Sequence, residues 1–68
     1  MPRYYRNMNA QLNGDHEVHK EGCSFMPAPS NRDYLGEFDS CHGAVSKARE
    51  KDPSADGCAH CSPACHTR

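Results

Sequence analysis

The chain carries a pair of cysteines at the spacing of a metal-binding turn. Cys58 and Cys61 are separated by two residues near the C-terminus. This spacing allows two thiolates from one tight turn to bind the same tetrahedral ion. More side chains that can bind metal lie after this pair and far upstream of it: Cys65, His66, His16, His19 and Cys23. A fold held together by these side chains is the main constraint that the sequence imposes.

The chain is poor in apolar residues and needs such a constraint. It has 68 residues, 35% of them hydrophobic, and no tryptophan, and its mean hydropathy is −0.97. A core of this size rarely supplies more than about 3–5 kcal/mol, so natural domains this small usually add disulfides or a metal. Because the five cysteines are an odd number, disulfides alone would leave one thiol over. Metal ligation, or a mixture of both, is favoured.

The net charge and the N-terminal residues limit the classes of function that we expect. Eight basic and nine acidic residues give a net charge of −1, which supplies no overall field for capturing nucleic acid. Residues 1–6 include no apolar run typical of a signal peptide or a membrane span. We therefore expect a cytoplasmic protein without membrane association. Thiols stay reduced in the cytoplasm, where clustered cysteines more often bind metal.

Turn signals and apolar patterns predict a single small metal-binding domain of the α+β class over residues 1–68. Asn13-Gly14 favours a β-hairpin over residues 3–22, because both turn residues must adopt positive φ. A short strand is expected at 34–38. The Cys-rich tail, residues 57–68, can add a fourth short strand or form a knuckle.

One helix is predicted over residues 40–51. Its apolar residues fall at the helical spacings i, i+3, i+4 and i+7: Cys41, Ala44, Val45 and Ala48. Basic residues in the last turn suit the helix dipole. Asp52-Pro53 ends the helix, because proline cannot continue it.

A structural zinc site needs four ligands, often two from each of two chain segments. Cys58 and Cys61 form one pair, and Cys23 is the natural start of the other. His19 precedes Cys23 by four residues and shares its parity on a strand. Val18 has the opposite parity and should point into the core, so a bend at Gly22 is needed to bring His19 and Cys23 together. The substitutes for the fourth ligand are Cys41, Cys65 and His66.

Several motifs resemble the metal-binding module at the N-terminus of the Ada-type DNA-repair proteins, and more closely its small bacterial relatives. They lie within residues 17–61 and read Val18-His19-x3-Cys23, Ser30-Asn31-x3-Leu35-Gly36-x-Phe38-x-Ser40, Ala44-x3-Ala48 and Gly57-Cys58-x2-Cys61. The resemblance implies one structural zinc ion on four ligands: His19, Cys23, Cys58 and Cys61. In the repair module, the position of His19 holds the thiolate that accepts a methyl group. Imidazole cannot act as that nucleophile, so the resemblance is carried over as a zinc fold without methyl transfer.

Two cysteines remain outside this ligand set. Cys41 lies on the apolar stripe of the predicted helix, where a free cysteine usually packs as a small hydrophobe. Cys65 follows the Cys58-x2-Cys61 turn closely enough to approach it. A contact between Cys41 and Cys65 would dock the tail on the helix, as a disulfide if oxidised or as extra ligands if reduced.

These observations predict a non-catalytic binding or adaptor module without a small-molecule substrate. Its partner is a protein or a nucleic acid. The contact residues favoured for it are the basic and aromatic residues of the first strand: Arg3, Tyr4, Tyr5 and Arg6. The competing interpretation is that the tyrosines merely fill one face of the hairpin.

Two other classes of function compete with the binding module. One is a thiol-based redox or metal-handling protein that uses Cys58, Cys61 and Cys65. The other is a disulfide-stapled structural protein.

The sequence contains no complete motif that supports catalysis. His16-Glu17-Val18-His19 is one residue short of the zincin motif and lies on a predicted strand, where a protease would need a helix.

Overall fold

The computed structural model describes residues 1–67. It forms a four-stranded sheet and one α-helix, which confirms the predicted α+β class. In chain order the elements are β1 Arg3–Asn7, β2 Glu17–Lys20, a 3₁₀ helix Pro29–Asn31, β3 Arg32–Glu37, α1 Cys41–Arg49, β4 Asp56–Gly57 and a 3₁₀ helix Pro63–Cys65. The strand order across the sheet is β3-β1-β2-β4.

The β1–β2 hairpin is antiparallel, with Tyr4 opposite Lys20 and Arg6 opposite Val18. It lies within the predicted range 3–22, but a loop over residues 8–16 joins the strands in place of a two-residue turn. Asn13-Gly14 makes a tight turn inside this loop, where Gly14 has φ +88° and its amide donates to the Gln11 carbonyl at 2.9 Å. The turn signal was therefore local, and the strands end before reaching it.

The two outer strands complete a mixed sheet. β3 pairs antiparallel with β1, and the register shifts by a bulge opposite Tyr4 and Tyr5, next to Gly36 with φ +127°. This strand spans 32–37 instead of the predicted 34–38, and Phe38 packs against the core just beyond it. β4 is short and pairs parallel with β2. The tail thus supplies both of the predicted possibilities, a fourth strand followed by a knuckle.

Helix α1 buries its predicted apolar stripe against the sheet. It begins after the N-cap Ser40 and ends at Arg49, so it is shorter than the predicted 40–51. In the turn that follows, the Lys51 amide donates to the Ala48 carbonyl at 3.2 Å. The buried residues on the helix are Cys41, Ala44, Val45 and Ala48. None of the helices formed by residues 1–67 combines the length and the apolar composition that crossing a bilayer demands.

One face of the sheet packs against α1, and the other face points away from the helix. Val18 is fully buried and Tyr4 is 4% exposed in the cluster that packs beneath α1. Because side chains alternate along a strand, Tyr5 and His19, which are opposite each other in the register, lie on the other face. The residues of the core are mostly small, so apolar burial contributes little stability and the sulfur groups described next matter more.

Candidate metal centre

Four side chains that can ligate metal converge beside strand β2. They are the four implied by the sequence resemblance: His19, Cys23, Cys58 and Cys61. Their ligand atoms all lie within 4.8 Å of one another. The Cys23 and Cys58 sulfurs are 4.0 Å apart, and the Cys61 sulfur is 3.9 Å from Nδ1 of His19. The structure therefore brings together one group of donors from three separate parts of the chain.

Strand alternation and a glycine bend deliver the first two donors. His19 points away from the helix, opposite to Val18, and is nevertheless 1% exposed because the tail covers it. The chain turns directly after β2, where the Cys23 amide donates to the Lys20 carbonyl at 3.1 Å. Gly22 makes this turn possible with φ +85°, in the left-handed region that favours glycine. The predicted bend at Gly22 is present, and it places Cys23 beside His19.

The second pair of donors comes from the knuckle after β4. Parallel pairing fixes its start, since the Cys58 amide donates to the Val18 carbonyl at 3.0 Å. The knuckle closes where the Ser62 amide donates to the Cys58 carbonyl at 2.8 Å. Gly57 is required just before it, because a Cβ there would lie 2.6 Å from Cβ of Cys65 and 2.8 Å from the Ser62 carbonyl oxygen.

Hydrogen-bond donors surround the sulfurs of the knuckle. The Lys20 amide lies 3.3 Å from the Cys61 sulfur, and the His60 amide lies 3.4 Å from the Cys58 sulfur. The Ser62 hydroxyl approaches the Cys61 sulfur at 3.8 Å. Such donors stabilise negative charge on sulfur, as charge-assisted hydrogen bonds do for other anions. These contacts would help to hold thiolates on a bound cation.

Burial controls the protonation of the cluster. It lowers the pKa of His19, an effect that the charge of Glu17 partly offsets, so the imidazole is neutral and its Nδ1 can act as a ligand. Burial also raises the pKa of the Cys61 thiol to about 12, against the opposing effect of the Lys20 amide. A buried thiolate at this position therefore needs a cation for compensation.

Glu17 supports His19 from the side away from the sulfurs. Its Oε1 lies 3.6 Å from Nε2 of His19, a nitrogen that is buried and makes no hydrogen bond. A carboxylate behind a ligating histidine orients the ring and increases its basicity. Sequence reasoning missed Glu17, although its position two residues before His19 on one strand face was a usable signal.

The donors fit a metal ion in both chemistry and spacing. Three sulfurs and one imidazole nitrogen form a common set for four-coordinate structural sites. Metal–sulfur bonds of about 2.3 Å in a tetrahedron put sulfurs about 3.8 Å apart, close to the 4.0 Å between Cys23 and Cys58. These four residues could hold a metal ion.

The substitutes for the fourth ligand lie elsewhere. Cys41 and Cys65 form a disulfide on the helix side of the sheet. His66 points its Nδ1 toward the Gly57 carbonyl at 3.1 Å and the Asp56 carboxylate at 3.5 Å. None of the three belongs to the group that contains His19, and for Cys41 and Cys65 the predicted alternative of a disulfide is the one present. Cys65 lies outside the group that contains Cys58 and Cys61, since Gly57 lets it pack behind the knuckle, toward the helix.

The predicted partner contacts divide between the two faces of the sheet. Tyr4 is buried against Phe38, with ring centroids 6.2 Å apart. Arg6 is held by two carboxylates, Asp33 at 2.7 Å and Asp52 at 3.3 Å. Tyr4 and Arg6 are thus structural residues, because their strand parity turns them toward the helix. For Tyr4, the interpretation that the tyrosines fill one hairpin face is the better one.

The other two predicted contacts lie on the open part of the sheet. Arg3 is largely exposed, and Tyr5 packs beside Tyr34 with ring centroids 5.4 Å apart. The Arg32 guanidinium lies 4.7 Å from the centre of the Tyr5 ring. Sequence reasoning missed Arg32 and Tyr34, because their position beside Tyr5 depends on the pairing of β3 with β1.

Comparisons of the chain with known protein families, with curated proteins and with solved structures found no match.

Proposed function

We propose that the protein is a small zinc-stabilised module that binds a partner and has no catalysis of its own. One structural zinc ion would be held by the imidazole and the three thiolates of the candidate metal centre. The observation that carries the proposal is the convergence of these four donors within 4.8 Å.

The donor set favours zinc over other divalent ions. Thiolates select soft or borderline ions, and a tetrahedral arrangement of three sulfurs and one nitrogen is typical of structural zinc. With four ligands from the protein, the ion would have no open position for substrate. Its contribution is to cross-link the chain and to neutralise buried thiolates. The resemblance to the Ada-type module agrees with this ligand set, and His19 at the methyl-acceptor position argues against methyl transfer.

Metal content and fold, measured together, test the zinc proposal. The protein is purified without chelator, and zinc per chain is measured by mass spectrometry. Amide resonances are then followed while a strong chelator is added. We expect one zinc per chain and loss of the dispersed spectrum as zinc is removed, because metal binding and folding are coupled in such domains. Absence of zinc with an unchanged fold would overturn the proposal. Ready exchange of zinc with retention of the fold would favour a metal-handling protein.

The binding role is assigned to the open face of the sheet, which we define as Arg3, Tyr5, Arg32 and Tyr34. Tyr34 is 56% exposed, and its neighbour Tyr5 lies under the Arg32 guanidinium. Exposed rings beside guanidinium groups stack on bases and pair with phosphates, so single-stranded nucleic acid is the partner that this chemistry favours. Since the net charge is −1, attraction for phosphates would have to come from Arg32 and from Arg3, which also contacts the Glu37 carboxylate at 3.8 Å.

A titration with a short single-stranded oligonucleotide tests the open face. We expect salt-dependent shifts at the Tyr5 and Tyr34 amides, because phosphate contacts release counterions. Tyr34→Ala should weaken binding by about 1–3 kcal/mol, the value of one stacked base. Leu12→Ala, which removes an exposed side chain outside this face, should leave binding unchanged. If the amides do not shift, nucleic acid is excluded as the partner and a protein remains.

A further inference from the structure

The Cys41–Cys65 disulfide lies beside an open groove between α1 and the tail. The groove has a volume of about 310 Å³. Side chains of the helix and the tail line it, including His42, Ser46, Arg49, Ala64, Cys65 and Thr67. Both cysteines are buried in the core cluster, but Cys65 is among the residues that line the groove and Cys41 is not. One sulfur of the bond can therefore be approached from the groove.

The other sulfur is placed where a leaving thiolate is stabilised. Cys41 is the first residue of α1, and the N-cap Ser40 makes no side-chain capping hydrogen bond. The first turn also carries no acidic residue. Uncapped amides at a helix N-terminus stabilise a thiolate, as in other reactive cysteines. The two sulfurs thus differ in position, with Cys65 at the groove lining and Cys41 at the N-terminus of α1.

A histidine is positioned at the accessible sulfur. Nδ1 of His42 lies 3.6 Å from the Cys65 sulfur, and the His42 side chain is exposed at the groove. An imidazole there can hold or deliver a proton when Cys65 becomes a thiol. Sequence reasoning saw His42 only as a neighbour of Cys41. Its contact with Cys65 depends on docking of the tail against the helix.

We propose that this disulfide is a thiol–disulfide exchange site that accepts two electrons from a dithiol entering through the groove. One thiolate of the dithiol attacks the Cys65 sulfur, a mixed disulfide forms, and the bond to Cys41 breaks with release of the Cys41 thiolate. The second thiolate of the reductant then attacks the reductant sulfur that is bonded to Cys65. This step releases Cys65 and leaves the reductant as a cyclic disulfide. The two protons lost by the dithiol pass to Cys41 and Cys65, with His42 placed to serve Cys65.

The site is separate from the metal centre. The Cys41–Cys65 bond lies on the helix side of the sheet, whereas the four donors of the metal centre lie beside His19 on the other face. No donor of the metal centre takes part in the exchange reaction. Conversely, the three thiols of the metal centre are not substrates of the groove, since none of them lines it.

Identifying the cysteine that forms the mixed disulfide tests which sulfur is attacked first. The oxidised, folded protein is treated with glutathione in native buffer, quenched with acid, alkylated and mapped by mass spectrometry. We expect the trapped glutathione on Cys65 and the alkyl group on Cys41. Glutathione found mainly on Cys41 would overturn the proposal, as would a preparation in which Cys41 and Cys65 cannot be oxidised to a disulfide. The mapping assigns each cysteine of the folded protein separately, so its result is distinguishable from the zinc content that tests the proposed function.

Rates of reduction by dithiothreitol test the route. Ala64→Trp fills the groove from an exposed position and should slow reduction about tenfold or more, because exchange depends on access to the attacked sulfur. Lys47→Trp adds the same side chain to an exposed helix position outside the groove lining and should leave the rate unchanged. Equal rates in the two variants would overturn the proposal. So would a wild-type rate equal to that of global unfolding measured by hydrogen exchange, because reduction would then occur in the unfolded chain.

Discussion

The metal centre and the disulfide use the same residue type on opposite faces of one sheet. At the metal centre the sulfurs stop 4.0 Å apart, with amide donors directed at them and an imidazole completing the set. At the helix side, Cys41 and Cys65 are bonded to each other, and His42 is the third donor of their group. The two sites therefore differ in the number of metal-capable donors that surround each cysteine. The four donors beside β2 could hold a metal ion, whereas the helix-side group has three donors, two of which are bonded to each other.

The two groups also secure different parts of the chain. The metal centre joins β2, the turn after it and the knuckle, and so encloses the outer face of the sheet. The disulfide ties the tail to the start of α1 across a sequence separation of 24. We therefore expect loss of the metal centre to unfold the chain. Loss of the disulfide should lower the stability of the fold and leave the four donors of the metal centre together.

The largest effect is expected from removing one ligand of the metal centre. Cys58→Ser should abolish retention of zinc and leave the chain largely unfolded, because structural zinc contributes about 10–16 kcal/mol in zinc-finger peptides. Zinc content and amide dispersion are the measurements. His60→Ala is the matched control, since His60 lies between the two knuckle cysteines and stacks on Phe25 instead of joining the cluster. Zinc retained by Cys58→Ser would contradict the assignment of this ligand.

A smaller effect is expected from removing the disulfide. The double substitution Cys41→Ser and Cys65→Ser should cost about 3–4 kcal/mol, the loop-closure value for a separation of this size. Zinc per chain should stay at one, because neither residue belongs to the metal centre. Urea unfolding of the zinc-loaded protein measures the cost. If zinc were lost together with the disulfide, the two groups would be one coupled unit and their separation would be wrong.

Glu17→Gln changes the metal centre without removing a ligand. It keeps the shape of the side chain but removes the charge that faces Nε2 of His19 at 3.6 Å. We expect zinc affinity to fall 10- to 100-fold, as for other residues behind a ligating histidine. Competition with a chromophoric chelator measures this change. Glu50→Gln, on the exposed surface of the helix end, should bind zinc like the wild type, and equal affinity in both variants would remove Glu17 from the site.

The smallest effect concerns Asp52, which lies outside both groups. Burial alone would raise its pKa, but hydrogen bonds from Ser54 and the charges of His16 and Arg6 outweigh burial and lower the pKa. A carboxylate with a lowered folded-state pKa stabilises the fold above its ordinary pKa near 4, and this contribution is lost as pH falls through the lowered value. Asp52→Asn should therefore flatten the acid side of the stability curve.

Ser54→Ala checks the origin of that effect, since its hydroxyl donates to Asp52 at 2.7 Å. It should reduce the acid dependence in part, because the Ser54 amide and Arg6 keep their contacts with Asp52. Urea unfolding at a series of pH values measures both variants. An unchanged pH profile in Asp52→Asn would show that another group controls the acid limb.

Local patterns in the sequence were sufficient for much of this fold. The helix stripe from Cys41 to Ala48, the hairpin and the Cys58-x2-Cys61 turn depend on residues close in the chain, so spacing predicted them. The position of the hairpin turn was wrong, because Asn13-Gly14 can turn inside a longer loop as well as at a strand end. Helix and strand ends shifted for the same reason, since they depend on contacts that spacing does not encode.

By itself, the sequence determined the elements, the knuckle and the set of donors available. Only the tertiary structure decided which donors meet. His19 joins the metal centre because parallel pairing of β4 with β2 brings the tail over the outer face. Cys65 lies outside the metal centre because Gly57, which has no side chain, leaves room for it to pack toward the helix. Tyr4 and Tyr5 lie on opposite faces of the sheet because side chains alternate along a strand. Each of these outcomes rests on contacts between distant residues, whose geometry is set by packing of the whole chain.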